Sequence, residues 1–193
     1  MTPRIPPVDP PYEPATAAEL DAMMPPGVPP IGLFRTFVHN LEMTKAMRGW
    51  GGYELSRTLS VSMRDRELVI DRVCARCGCE YEWGVHVSFF AARVGLTDSQ
   101  IASLTFGSPT DACWTDGRDR ALIAMVDALH DDHDVTDELW HWLAQHFDRR
   151  QLLDLTMLAG WYHAISYTAR AARVELEPGA PRFSDYQAIS ASP

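Results

Sequence analysis

The sequence predicts an all-α protein, and three observations carry that expectation. Apolar residues recur at three- and four-residue intervals in one segment after another, and no stretch alternates apolar and polar residues for long enough to make a strand. Helix-capping pairs, a Thr or Asp followed three positions later by Glu or Gln, stand at Thr16 and Glu19, Thr97 and Gln100, and Asp148 and Gln151. With 193 residues and 46% hydrophobic content, the chain has material for one sizeable core and not for two. It shows neither an internal repeat nor a low-complexity tract.

Residues 1–29 read as a proline-rich arm with a short helix. Proline removes backbone donors and fixes φ, so MTPRIPPVDPPYEP predicts an extended segment that lies on a neighbouring surface or stays mobile. Thr16 and Glu19 open the short helix, which Pro25 and Pro26 stop after about Met24. A helical domain follows over residues 30–177. In it, Ile31, Leu33, Phe34, Phe37, Val38, Leu41 and Met43 predict helix as far as the Gly51-Gly52 break. Ser62 to about Arg76 forms the next helix, with Leu68, Val69, Arg72 and Val73 in period and Asp65 and Glu67 near its positive end. Gly78 breaks the pattern. A helix from Cys79 to about Val94 then ends at Gly95, a left-handed cap, and Thr97 with Gln100 opens a short one. Beyond the loop from Gly107 to Gly117, one stripe runs through Ala121, Leu122, Met125, Val126 and Leu129, and another through Leu139, Trp142, Leu143 and Phe147. Asp148 and Gln151 launch a long apolar helix bearing Leu152, Leu155, Leu158, Ala159, Tyr162 and Ile165. Residues 178–193 form a C-terminal tail.

Charge narrows the function. Seventeen Lys and Arg against twenty-six Asp and Glu give a net charge of -9, and the basic residues are too scattered to track phosphates, so nucleic acid is excluded as a partner. The N-terminal stretch lacks the apolar run of a secretory signal, and the most apolar span, Leu152 to Ala172, is interrupted by Asp154, His163 and Arg170. No membrane association is expected, and the location expected is cytoplasmic. There the four cysteines would be reduced, which favours reactivity or metal binding over a structural disulfide.

The chemistry concentrates in VCARCGCEYEWGVH. At about 100° per residue, Glu82, three positions beyond Cys79, and His86, seven beyond it, project from the same helix face. Cys79 and Glu82 fall in the first turn after Gly78, where the positive helix end favours an anion and predicts a thiol more acidic than a free one. Packing the two helices together would bring Glu67 to the same pocket. A thiol, two carboxylates and an imidazole form a proton-transfer kit, because burial and mutual charge drive the two carboxylate affinities apart, and His86 can relay protons near neutral pH. The same spacing also fits a small core cysteine, a surface carboxylate and a hydrogen-bonded histidine.

The segment Gly78-Cys79-Glu80-Tyr81-Glu82-Trp83-Gly84-Val85-His86-Val87 resembles the carboxymuconolactone decarboxylase superfamily, which includes the AhpD-like alkylhydroperoxidases. Arg66-Glu67-Leu68, Ala92-Arg93-Val94-Gly95-Leu96, Leu33-Phe34-Arg35-Thr36, Trp161-Tyr162-His163 and Val174-Glu175-Leu176 extend the likeness over roughly residues 30–177. The resemblance implies an AhpD-like helical fold, assembly into homotrimers or homohexamers, and a catalytic set of Glu67, Cys79, Glu82 and His86 acting on a small molecule. In redox members of the superfamily a second cysteine stands where this sequence has Glu82. A Cys-x-x-Cys pair cycles between dithiol and disulfide, whereas one thiol beside a carboxylate does not unless another sulfur reaches it.

The expected activity is therefore that of a cofactor-independent lyase, in which Glu67, Cys79, Glu82 and His86 move protons on a small carboxylated lactone or related acid. The alternatives are an AhpD-like thiol peroxidase working through Cys79, resolved by Cys74, Cys77 or an external thiol, and a non-catalytic oligomeric binding protein. Trp83, Tyr162 and His163 are candidate substrate contacts, although each also suits a core position. No cofactor or metal is assigned. A site made from Cys74, Cys77, Cys79 and His86 matches no usual zinc spacing, the tract from His130 to Asp134 reads as a solvated turn, and His141, His146 and Cys113 receive no role.

Overall fold

The computed structural model describes residues 2–190, all of whose regular structure is helical. Residue 1 and residues 191–193, the end of the tail, lie outside the described residues. Among the described residues ten α-helices follow one another: α1 (Pro14–Met23), α2 (Gly32–Phe37), α3 (Leu41–Glu54), α4 (Met63–Arg76), α5 (Glu80–His86), α6 (Asp98–Phe106), α7 (Gly117–Asp131), α8 (Asp137–Leu143), α9 (Arg149–Ala172) and α10 (Phe183–Ser190).

Helix α4 is the axis of the fold, packed by α5, α6, α7 and α9, and every residue from Asp65 to Cys74 is buried. Five of these residues are acidic or basic, and charges need partners once water is removed. Asp65 closes a capping box with Ser62 and takes the Arg118 guanidinium at 2.9 and 2.8 Å. Arg72 holds Asp127 through two bonds of 2.7 and 2.8 Å and donates to the Leu104 carbonyl at 2.9 Å. Arg66 and Glu67 turn to each other at the candidate site. Across from α4, helix α9 buries Leu152, Leu155, Leu158, Ala159, Tyr162, Ile165, Ser166, Ala169 and Ala172 along one stripe, each large aliphatic side chain contributing about 1.5–3 kcal/mol.

Several boundaries depart from the sequence reading. Pro14 occupies the first helical turn of α1, so Thr16 falls inside the helix and caps nothing; Glu19 is buried and accepts from Arg48 Nε at 2.7 Å instead. The helix expected to stop at Gly51-Gly52 breaks earlier, at a 3-10 turn over Val38–Asn40, because the Asn40 side chain accepts from the Met43 N–H and starts α3 afresh. The two glycines are carried inside α3. The arm lies on its own chain: Arg4 and Ile5 donate to the Ala172 carbonyl at 2.8 and 3.2 Å, and Val8 pairs with Arg35. Residues of the tail form α10, whose Phe183 and Tyr186 rings meet Trp83 at 4.9 and 5.6 Å. No helix among the described residues is long and apolar enough to cross a membrane.

Candidate active site

The site begins with the turn between α4 and α5. Gly78 sits at φ 62°, a left-handed conformation that glycine adopts without a Cβ penalty, and it turns the chain so that Cys79 becomes the residue capping α5. Helix α5 does not run on to Val94. After His86 it opens into a π-helical turn, Val87–Ala91, then tightens into a 3-10 turn, Ala92–Val94, closed by Gly95 at φ 67°. Such π turns widen the helix locally and recur at functional sites. Here the widening follows directly on His86 and carries Phe89 and Phe90 to the wall of a cavity of about 410 Å³. Glu82, His86 and Tyr162 share that wall with apolar side chains of α2 and α3, and Arg48 reaches it from α3. Its size suits a small molecule.

A buried ionic chain lies behind the wall. Arg66 donates through Nε to Glu67 Oε1 at 2.6 Å, Glu67 Oε2 faces His86 Nδ1 at 2.8 Å, and His86 Nε2 stands 3.5 Å from Glu82 Oε1. Glu67, Glu82 and His86 are all buried, and Glu82 Oε2 has no hydrogen-bond partner among the described residues. Burial works against a charged imidazole, but the charge and hydrogen bond of Glu67, reinforced by Glu82, outweigh it and raise His86 to about 10. His86 is consequently an imidazolium at neutral pH. One turn along α4, Asp71 is fully enclosed, and burial together with the Glu67 charge pushes its carboxyl well above the ordinary range. The Tyr162 ring stands edge-on to His86, 5.1 Å between centroids, and Phe90 lies 5.4 Å away on another side.

The structure thus brings Glu67, Glu82, His86 and Tyr162 together and separates three other candidates from the cavity. Cys79 does not line it. The thiol is buried close to Cys74, Cys77 and Ser166, and that burial pushes it up to about 11, so the acidic thiol expected from the helix end is replaced by a weakly acidic one: desolvation exceeds the pull of a single helical turn. Trp83 is fully buried against α10 and makes no cavity wall. His163 faces α7, where its Nε2 lies 3.0 Å from His130 Nδ1. The sequence reading missed Asp71 and Arg48. An acidic residue one turn beyond Glu67 on an otherwise buried helix was the available signal for Asp71; nothing in the sequence around Arg48 marks it.

Residues 42–125, from α3 to α7, match the model of the carboxymuconolactone decarboxylase family, the family that the sequence resembles, and Glu67, Glu82 and His86 lie within the matched stretch. No curated protein sequence matches the chain. Among solved structures it is similar to ATU0492 of Agrobacterium tumefaciens, a protein of unknown function put forward as an AhpD antioxidant defence protein (20% identity, 74% of this chain and 95% of that one, TM-score 0.64). It is also similar to an uncharacterized peroxidase-related protein from Silicibacter sp. TM1040 (16% identity, 95% and 94% of the two chains, TM-score 0.69). The debrominase Bmp8 superposes over 96% of this chain and 97% of its own at 13% identity, with a TM-score of 0.75. At these identities the likenesses establish an AhpD-like helical fold.

Proposed function

We propose that this protein is a cofactor-independent lyase that decarboxylates a small carboxylated lactone or related acid by proton transfer. One observation carries the reading: the two ionisable side chains of the motif that line the cavity are Glu82 and His86, with Glu67 fixing the imidazole from behind. In the reaction, the bond between the substrate carbon and its carboxylate breaks, carbon dioxide leaves, and the electron pair passes into the adjacent conjugated carbonyl as an enolate. His86 Nε2–H protonates the carbon, and solvent restores the proton by way of Glu82. Glu67 holds Nδ1–H and keeps Nε2 aimed at the cavity. Arg48, a cation on the cavity wall, receives the substrate carboxylate.

The test is a panel of small carboxylated lactones offered in deuterium oxide, with mass detection of carbon dioxide and of deuterium in the product. Turnover with one deuterium per product, retained by Cys79→Ser and reduced by about 100-fold or more in His86→Gln, is expected. Turnover that survives His86→Gln and vanishes in Cys79→Ser overturns the reading.

A second reading, peroxide reduction, is favoured by the gathering of thiols around Ser166, whose hydroxyl meets Cys74 Sγ at 3.8 Å and also acts on Cys77 and Cys79. Cys79 would attack the peroxide oxygen to give a sulfenic acid and an alcohol, and Cys74 or Cys77 would then displace water to form a disulfide. Peroxide titration followed by mass spectrometry separates the two: a free Cys79 thiol after excess peroxide excludes this chemistry.

Self-association is part of the proposal. Leu153, Met157 and Tyr167 of α9 are 68%, 53% and 64% exposed, an apolar face that a second copy of this chain would cover.

A further inference from the structure

On the side of α9 away from the cavity, three metal-ligating side chains converge. Cys77 at the C-terminal end of α4, His130 in the last turn of α7 and His163 in the middle of α9 place one ligand atom each within 4.8 Å of the others, the one such group of three His, Cys, Asp or Glu side chains among the described residues. They are distant in sequence and come from three helices. Cys77 is buried and both histidines are half-buried, so the cluster has an apolar floor and a side open to solvent.

The hydrogen bonds fix what these atoms can offer. His163 Nδ1 lies 2.9 Å from the Ala159 carbonyl, which can only accept, so Nδ1 carries the proton and a neutral His163 presents a bare lone pair at Nε2. That lone pair points at His130 Nδ1, 3.0 Å away. A backbone carbonyl that orients a histidine and leaves its other nitrogen free is the usual outer arrangement of a metal-binding imidazole. Ligand atoms held tetrahedrally at about 2.0–2.3 Å from a zinc ion stand about 3.3–3.6 Å apart, so the two histidine nitrogens, 3.0 Å apart, open slightly and the Cys77 sulfur, within 4.8 Å of both, closes on the ion. Two cations, Arg76 and Arg170, stand near the thiol and favour its thiolate form, and both have partners. Arg76 pairs with Asp127 and Asp131 across the α4–α7 contact, and Arg170 is occupied with the Cys77 carbonyl at 2.6 Å.

We propose that Cys77, His130 and His163 form a binding site for a zinc-class divalent cation, with the fourth position open to water or an external ligand. One thiolate and two imidazoles suit zinc among the common divalent ions, and three protein donors with one open position are an established zinc arrangement. On binding, the Cys77 thiol loses its proton to solvent and its sulfur bonds the metal. His130 moves its proton from Nδ1 to Nε2, with no net loss, and Nδ1 takes the metal. The site joins the ends of α4 and α7 to the middle of α9, one residue from the Gly78 turn that positions Cys79 and α5. It is independent of the lyase reading, because it shares no ligand with the cavity.

The experiment titrates chelator-stripped full-length protein with zinc chloride by calorimetry and with cobalt chloride by absorption. One equivalent per chain is expected, with a thiolate-to-cobalt charge-transfer band and the intense visible bands of tetrahedral cobalt. Cys77→Ser should abolish the charge-transfer band. His130→Gln and His163→Gln should each weaken zinc by more than about 10-fold, a loss that even outer partners of metal sites produce. Cys113→Ser and His133→Gln, which change the one cysteine that is not buried and a histidine near His130 in the chain, should bind as the parent does. Failure to bind one equivalent overturns the proposal, as does a cobalt spectrum without the thiolate band or zinc affinity unchanged in both histidine variants. If Cys77→Ser does not fold, the parent's cobalt spectrum and the two histidine variants decide.

Discussion

At the scale of single residues, the site is governed by how Glu67 handles the charge of His86. The imidazole titrates near 6.5 when free and at about 10 here, so His86 stabilises the fold fully below about pH 6.5, and that stability drains away as the pH climbs to about 10. Activity that needs the imidazolium should fall on the alkaline side near the same value. Glu67→Gln removes the main opposing charge, so the alkaline limb of the pH–rate profile should move toward neutral, a shift that a purely structural glutamate would not cause. Asp71 has the opposite sign. Its carboxyl is raised well above 3.8 by burial and by Glu67, so it costs stability at pH values above 3.8 that Asp71→Asn should restore. Urea unfolding at pH 7 and again near pH 3 checks this: the variant should gain at the higher pH, and the gain should vanish at the lower one.

At the scale of elements, α5 is held between the turn at Gly78 and the tail. Gly84 packs so closely on the tail that an added Cβ would stand 2.9 Å from the Pro181 carbonyl oxygen, a contact that backbone cannot relieve cheaply. Gly84→Ala should therefore cost about 1–3 kcal/mol in chemical denaturation and loosen α10, seen as faster amide exchange over Phe183 to Ser190. At the N-terminal end of α9, Asp148 and Gln151 satisfy each other's backbone donors at 2.9 and 3.0 Å. Asp148→Ala should cost about 1 kcal/mol without altering the cavity, which α9 enters three turns later at Trp161.

At the scale of the molecule, the outer face of α9 is the surface on which the proposed assembly would act. Leu153→Glu combined with Met157→Glu places two charges on the exposed apolar face, and light scattering after size exclusion should show a smaller particle than the parent forms, with helical content unchanged by circular dichroism. A particle of unchanged mass would overturn assembly through this face.

The sequence by itself determined what depends on near neighbours along the chain. Helical periodicity, the Asp148 and Thr97 caps and the glycines at 78 and 95 set most of the helices, and the spacing of Glu82 and His86 put both on one face of α5 before any packing was known. Tertiary structure decided everything that depends on what surrounds a side chain. Burial beside Ser166 and the other thiols turned Cys79 from the expected acidic nucleophile into a weak acid away from the cavity, because desolvation is a property of the packed surroundings and not of position along a helix. Packing also took Trp83 into the contact with α10, turned His163 from the cavity toward His130, and enclosed Asp71 behind Glu67. Cys77, His130 and His163 share no local pattern, and only the meeting of α4, α7 and α9 makes them neighbours.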